Sequence, residues 1–162
     1  MAACFGLGEI AVEKLKDRRQ TQKMLLAWLS YFRGKILFEH ATMEEALRES
    51  AKEAGAVFSP FFYGVAEELE KKNGRCFRHI WEGMAEQKKK EFCLNKEEFT
   101  DLMHFGSQLG EMDVEVQRRA IGRYEEELLR SLGKAEEEVE RKERLYRSLS
   151  VLAGCFIIIL IW

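Results

Sequence analysis

The sequence has few of the residues that interrupt helices. It contains one proline, Pro60, in 162 residues, and it is rich in Glu, Lys, Leu and Ala. Proline breaks helix interiors whereas these four residue types favour helix, so little opposes the formation of long helices. The sequence also lacks a run of alternating β-branched residues that would predict a strand. We therefore predict an all-α fold, a bundle of about six helices.

The sequence has no strong excess of either charge. Charged residues make up 33% of the chain, yet the net charge is only -2. Domains that bind nucleic acid usually carry a strongly basic face, so nothing here indicates such a partner. A chain of 162 residues is long enough for one domain with a buried core.

The cysteines lack the spacing of a disulfide framework or a zinc site. Cys4, Cys76, Cys93 and Cys155 lie far apart, and no C-x-x-C motif occurs. This pattern agrees with a reducing compartment. A pairing of Cys76 with Cys93 is left open.

The motifs of catalysis are missing as well. Gly6-Leu7-Gly8 has neither a third glycine nor a preceding strand, and no G-K-[ST] sequence occurs. The three histidines are distant in sequence, and none stands in an H-E-x-x-H motif. We therefore expect no enzyme activity, no metal and no cofactor.

Helical spacing and capping residues predict where the six helices lie. An apolar stripe at a period near 3.6 marks the first, and its aromatic residues Trp28 and Phe32 are expected in the core, with a partner groove as the alternative. The predicted bounds are residues 9–40, 43–54, 60–72, 75–91, 96–109 and 114–162.

Several residues predict how these helices begin and end. Thr42 and Asn95 each precede a glutamate by three positions, which is typical of a capping box. Gly55 is predicted to end the second helix in a left-handed conformation. Ser59 is predicted to cap the third helix, with Pro60 at its first position.

The sixth helix has an apolar seam in a highly charged segment. The seam residues recur every three or four positions, and beyond Lys134 the other faces are dense in charge. This pattern predicts a coiled coil or a helix pair with a neighbour. The seam comprises Ile121, Tyr124, Leu128, Leu132, Ala135, Val139, Tyr146 and Leu149.

The end of the chain carries the longest apolar stretch. Residues 149–162 contain no charge, and extending the window to Tyr146 gives about 17 residues, against the roughly 20 of a full span. We predict a membrane anchor, with a buried terminal core helix as the alternative. Its residues are Tyr146, Leu149, Val151, Leu152, Phe156, Ile157, Ile158, Ile159, Leu160, Ile161 and Trp162.

Basic residues flank the apolar ends and predict their orientation. Lys14, Lys16, Arg18 and Arg19 follow the apolar residues 1–12, and a second basic group precedes the tail. By the positive-inside rule both flanks place the bundle in the cytoplasm. The division is then a remnant of a membrane helix at 1–12, a cytoplasmic bundle at 13–147 and a transmembrane segment at 148–162. The second basic group is Arg141, Lys142, Arg144 and Arg147.

Residues 99–117 resemble a segment of the stage III sporulation protein AB family, F-G-x-x-L-G-x-x-D-x-x-x-Q. Residues 36–47, with Thr42 and Glu45-Ala46-Leu47, also agree, as do residues 144–149 together with Gly154 and the apolar tail. In this chain the central segment is carried by Phe105, Gly106, Leu109, Gly110, Asp113 and Gln117, which we call the signature.

The signature has two interpretations. It can be a local structural element, or it can contact a partner. Gly110 is predicted to end the fifth helix in the left-handed conformation, and Asp113 to cap the sixth. Gly106 is predicted to let these two helices approach closely. Maintenance of the fold and partner binding both stay open.

The resemblance implies a small membrane protein of endospore-forming bacteria. Its helical domain would lie in the mother-cell cytoplasm and its ends in the membrane around the engulfed forespore. It would form part of a multi-protein channel between the two cells, with a soluble domain similar to the cytoplasmic domain of the type II secretion F platform protein. A secretion-type ATPase would be a partner.

One departure from the family concerns the beginning of the chain. Relatives start with a full hydrophobic span, whereas only residues 1–12 are apolar here, so either the start was placed too late or one anchor is lost. We predict a membrane-anchored, non-enzymatic assembly subunit. The alternative is a soluble helical adaptor whose apolar terminal helix binds a partner, and a homo-oligomer is left open.

Overall fold

The computed structural model describes the backbone of residues 2–110 and 113–161, and the side chains of residues 12–110, 113–149 and 152. The described chain is all-α, as predicted, and contains no strand. The elements are α1 (Ala2–Leu37), α2 (Met43–Ser50), a 3₁₀ turn (Ala51–Ala54), α3 (Gly55–Glu70), α4 (Phe77–Lys88), α5 (Lys96–Leu109) and α6 (Val114–Ile161).

The two longest helices, α1 and α6, pack side by side in opposite directions. Most of the predicted seam of α6 between Ile121 and Val139 is buried, with Leu132 half-buried, and it faces α1 and α5 of the same chain. As residue numbers rise along α1, those of the ion-pair partners on α6 fall, which sets the antiparallel direction. The pairs are Lys16–Glu143 at 2.9 Å, Arg18–Glu138 at 3.2 Å, Lys23–Glu136 at 3.3 Å and Arg33–Glu125 at 2.6 Å.

A cluster of aromatic rings fills the core between α1, α3, α4 and α5. Trp28 stacks on Phe62 with ring centroids 3.8 Å apart and on Phe32 at 5.0 Å. The indole N–H of Trp28 donates to Ser50 Oγ at 2.9 Å, so the ring is buried without an unpaired donor. The prediction that Trp28 and Phe32 belong to the core is confirmed.

The predicted caps of α2 and α5 are formed. Glu45 N donates to Thr42 Oγ1 at 3.3 Å, which is one half of the predicted box. At α5 both halves are present: Glu98 N donates to Asn95 Oδ1, and Asn95 N donates to Glu98 Oε2, each at 2.8 Å. These caps are local in sequence, so short-range patterns were sufficient to find them.

The predicted start of the third helix is wrong. Pro60 lies inside α3, which begins at Gly55. Gly55 has φ 70° and ψ 172°, a conformation that only glycine adopts readily, so it is not left-handed helical as predicted. The chain completes its reversal at Gly55, and α3 therefore starts five residues earlier than Ser59 and Pro60 indicated.

Two other helices differ from their predicted bounds. The first helix begins at Ala2 and ends at Leu37, and His40 follows with a φ of 53°. The fourth helix is shorter than predicted, since α4 covers Phe77–Lys88. Cys76 and Cys93, the two described cysteines outside the terminal segments, are both free, so they do not form the disulfide that the sequence left open.

The predicted membrane anchor lies mostly beyond the described side chains. Tyr146, Leu149 and Leu152 are 37%, 59% and 67% exposed, so these residues are not packed into the bundle core. Within the residues that the structure describes, no helix has a stretch both long and apolar enough to cross a bilayer. The transmembrane segment therefore stays a prediction.

A buried ion pair joins α1 to the start of α5. Glu98 is only 4% exposed, and its Oε1 accepts from Arg18 Nε at 2.7 Å. Burial acts to lower the pKa of Arg18, but its hydrogen bonds to Glu98 and Glu138 and their charges outweigh burial and raise it. Glu98 thus caps α5 and anchors α1 at the same time.

The Glu98→Ala substitution is expected to lower the free energy of unfolding by about 3 kcal/mol, because Arg18 would keep its place without its buried partner. Chemical denaturation of the full chain in detergent would measure the change. The neighbouring Glu97→Ala, on the exposed face of the same turn, serves as the control and is expected to change stability by less than about 0.5 kcal/mol. Equal losses in the two variants would contradict this role of Glu98.

Candidate functional site at the corner between α5 and α6

The signature residues come together where α5 ends and α6 begins. Phe105, Gly106 and Leu109 are buried on the last turns of α5. Gly110 and Asp113 are exposed in the connection, and Gln117 is half-buried on the first turn of α6. The signature therefore has an inner half that packs and an outer half that reaches the surface.

The outer half closes the corner by hydrogen bonds. Asp113 Oδ1 accepts from Glu115 N at 2.8 Å, which confirms the predicted cap of α6. Gln117 Nε2 donates to the carbonyl oxygen of Leu109 at 3.2 Å. The last carbonyls of a helix have no partner within it, so Gln117 satisfies one of them and holds the end of α5 against α6.

Gly106 permits a close approach, but not the predicted one between α5 and α6. A Cβ at this position would lie 2.2 Å from Cδ1 and Nε1 of Trp81, which belongs to α4. The Trp81 indole also donates to the carbonyl oxygen of Leu102 at 3.1 Å, so it lies flat against the backbone of α5. The prediction that Gly106 brings α5 and α6 together is therefore corrected: it makes room for the indole.

Gly110 is not needed for its backbone freedom, but a side chain here would crowd the start of α4. Its φ is -68° and its ψ is -7°, so the predicted left-handed conformation is wrong. A Cβ here would lie 3.2 Å from the Cβ of Phe77, at the start of α4. Both signature glycines thus face α4, which the sequence could not indicate because α4 lies outside the motif.

The ring of Phe105 connects the signature to the seam of α6. It stacks on Tyr124 with centroids 4.4 Å apart and meets Trp81 edge to face at 6.0 Å. Tyr124 is 2% exposed, and burial, reinforced by the charges of Asp101 and Glu127, raises the pKa of its phenol well above the usual value. Tyr124 therefore stays neutral and acts as a packing residue.

The basic flanks of the two apolar ends lie close together. Lys16 on α1 pairs with Glu143 on α6, one turn before Arg147. Arg141, Arg144 and Arg147 are exposed, and Lys142 is half-buried. The two basic groups, separated by most of the sequence, thus lie side by side near the end of the bundle where α1 starts and α6 finishes. We call the exposed basic residues among them the collar. Glu140 and Glu143 lie between these residues, and Arg18 is instead held against Glu98.

Two findings bear on chemistry in the described part of the chain. No group of three or more His, Cys, Asp or Glu side chains is placed to hold a metal ion there. Cys76 Sγ lies 2.8 Å from His79 Nδ1 on the exposed start of α4. This contact was not predicted, although the spacing of three residues on a helix was a signal for it.

The helices and their corner define a class of protein. It is an all-α protein in which a long antiparallel helix pair, α1 and α6, carries a layer of shorter helices and a glycine-dependent corner. The family model for stage III sporulation protein AB matches residues 1–162, and the chain belongs to this family. The resemblance seen in the signature is thereby confirmed.

Two relatives agree with this assignment. Stage III sporulation protein AB of Bacillus subtilis (strain 168) is 27% identical over 157 residues, which cover 97% of this chain and 89% of that protein. A solved structure of stage III sporulation protein AB matches with a TM-score of 0.70 and 24% identity. It covers 76% of this chain and 97% of that one, and it supports the fold alone.

The Gly106→Ala substitution is expected to destabilise the fold by about 1 to 3 kcal/mol, because the new methyl group would overlap the Trp81 indole. Thermal or urea unfolding would measure the loss, and Trp fluorescence would report the displaced ring. Gly83→Ala on α4 is the matched control, since nothing lies within 4 Å of its Cβ position. That control is expected to stabilise by up to about 1 kcal/mol, and the same sign in both variants would contradict the steric argument.

Proposed function

We propose that this chain is a membrane-anchored, non-enzymatic assembly subunit that acts in sporulation through contacts with other proteins. Membership of the stage III sporulation protein AB family supports a role in sporulation. The antiparallel pairing of α1 and α6 is the observation that best supports membrane anchoring. It directs both apolar ends of the chain toward the same end of the bundle. The basic collar lies beside that end.

The anchor would consist of residues 148–162, supported by the apolar residues 1–12 alongside. Residues 149–162 are shorter than the roughly 20 residues of a full span, so a second apolar segment at the same place would help to hold the bundle at the bilayer. Exposed Leu149 and Leu152 at the beginning of this stretch agree with contact to lipid. Arg141, Arg144 and Arg147 would remain on the cytoplasmic side.

The corner between α5 and α6 would be the surface that partners contact. It lies far from the collar, because α6 extends from Val114 at the corner to Ile161. For a bundle held at a membrane, this end points into the cytoplasm. The partners we propose are a secretion-type ATPase and other subunits of the channel between mother cell and forespore, with a second copy of this chain as a further candidate.

Removal of residues 149–162 tests the anchor. The full tagged chain is expected in the membrane fraction of sporulating cells, and the truncated chain in the soluble fraction with an unchanged circular-dichroism spectrum. Lost cooperative unfolding after truncation would instead favour the adaptor, whose core needs this helix. A full-length chain found only in the soluble fraction would overturn the anchor.

A length-matched pair of variants removes the ambiguity of truncation. Ile158→Arg places a charge in the apolar tail, which costs about 2.5 to 3.5 kcal/mol at the centre of a bilayer, and is expected to reduce the membrane pool severalfold. Ile158→Leu keeps the tail apolar and is expected to fractionate like the unmodified chain.

Substitutions of Asp113 separate partner binding from capping at the corner. Serine caps a helix about as well as aspartate, so Asp113→Ser removes the charge and keeps the cap, whereas Asp113→Ala loses about 1 kcal/mol with the cap. We expect Asp113→Ser to retain its Tm but to recover severalfold less ATPase by co-purification. Unchanged recovery would assign Asp113 to the fold alone.

A further inference from the structure

A small cavity lies where α1, α5 and α6 meet, beside the signature but outside it. Its volume is about 10 Å³. Polar side chains of all three helices line it: Gln22 from α1, Glu98 and Asp101 from α5, and Tyr124, Glu127 and Ser131 from α6, with Leu25, Leu94 and Leu128 as the apolar part of the lining. We call it the polar cavity.

Gln22 is the unexplained member of this group. Its side chain is fully buried, and neither Nε2 nor Oε1 has a hydrogen-bond partner among the described residues. Buried amides in folded proteins are almost always hydrogen-bonded to protein or to ordered water. An unpaired amide loses its hydrogen bonds to water without replacement, which destabilises the fold. The nearby Glu98 is already committed, with Oε1 to Arg18 and Oε2 to Asn95 N.

We propose that the polar cavity is a binding site for one ordered water molecule, which joins the Gln22 amide of α1 to the Asp101 carboxylate of α5. A volume of about 10 Å³ is close to the minimum that holds one water molecule. A water molecule accepts a hydrogen bond from the Nε2–H group while it donates to a carboxylate oxygen. It therefore gives the Gln22 amide nitrogen an acceptor and the Asp101 carboxylate a donor.

The state of Asp101 agrees with this site. Burial raises the pKa of its carboxyl, and the charges of Glu127 and Glu97 raise it further, while the charge of His104 acts in the opposite direction. A carboxylate in such surroundings is stabilised by hydrogen-bond donors. The hydroxyls of Tyr124 and Ser131 line the same cavity, whereas the carboxylates of Glu98 and Glu127 supply no donor when ionised. The water molecule adds a donor that can reach Asp101 and Gln22 together.

Water contacts in the full chain, labelled and held in detergent micelles, test the proposal. Nuclear Overhauser effects between water and protons around the polar cavity are expected at the Gln22 side-chain amide, the Tyr124 ring and the Leu25 methyl groups. Chemical exchange with the Tyr124 hydroxyl is separated by the sign of the rotating-frame effect. Absence of every such contact in the unmodified chain would overturn the site.

Substitution of Gln22 then tests how the water is held. Gln22→Met has similar length without the amide, and it is expected to reduce the water contacts at Tyr124 and Leu25 at least fivefold. Gln20→Met on the exposed face of the same helix is the control and should leave them unchanged. Retained contacts in Gln22→Met would overturn the role of the amide.

Two additional measurements keep the test decisive. If Gln22→Met does not fold, Asp101→Leu removes the other partner, and it is expected to abolish the same contacts. Tyr124 and Gln22 shifts are also compared in sodium, potassium and choline chloride at equal ionic strength. Equal shifts support water, whereas shifts specific to sodium or potassium would assign the polar cavity to a monovalent cation.

Discussion

The antiparallel pairing of α1 with α6 is the constraint on which the rest of the structure depends. Exposed ion pairs such as Lys16–Glu143 contribute little each, at about 0 to 1 kcal/mol, so the buried seam supplies most of the stability. The ion pairs instead favour this register, because a slip along the helix pair would separate the four pairs that join α1 to α6. That register brings the two basic flanks into one collar and directs the two apolar ends the same way.

The packing of α4 against α5 depends on the large indole ring of Trp81 and on the lack of a side chain at Gly106. Trp81 packs on the backbone of α5 at Gly106 and donates to the Leu102 carbonyl, and Phe105 then reaches Tyr124 of α6. The inner half of the signature thus packs against α4 on one side and against α6 on the other. Its outer half, Asp113 and Gln117, closes the corner and remains accessible to a partner.

Buried polar groups link separate elements of the fold. Glu98 caps α5 and forms an ion pair with Arg18 of α1. Ser50 Oγ, at the end of α2, accepts a hydrogen bond from the indole N–H of Trp28. Such groups stabilise only the arrangement that satisfies their hydrogen bonds, and other packings of the same apolar faces would leave them unpaired. Gln22 beside the polar cavity belongs to the same set, with water as its partner.

Local patterns in the sequence determined that the chain is helical and where α2, α5 and α6 begin, since caps such as Asn95 and Asp113 involve residues only two or three positions apart. The family signature was readable for the same reason. Only the tertiary structure decided that Gly106 and Gly110 face α4, that Pro60 lies inside α3, and that the two ends of the chain converge. These features depend on contacts such as Arg18 with Glu138, 120 residues apart, which local patterns do not encode.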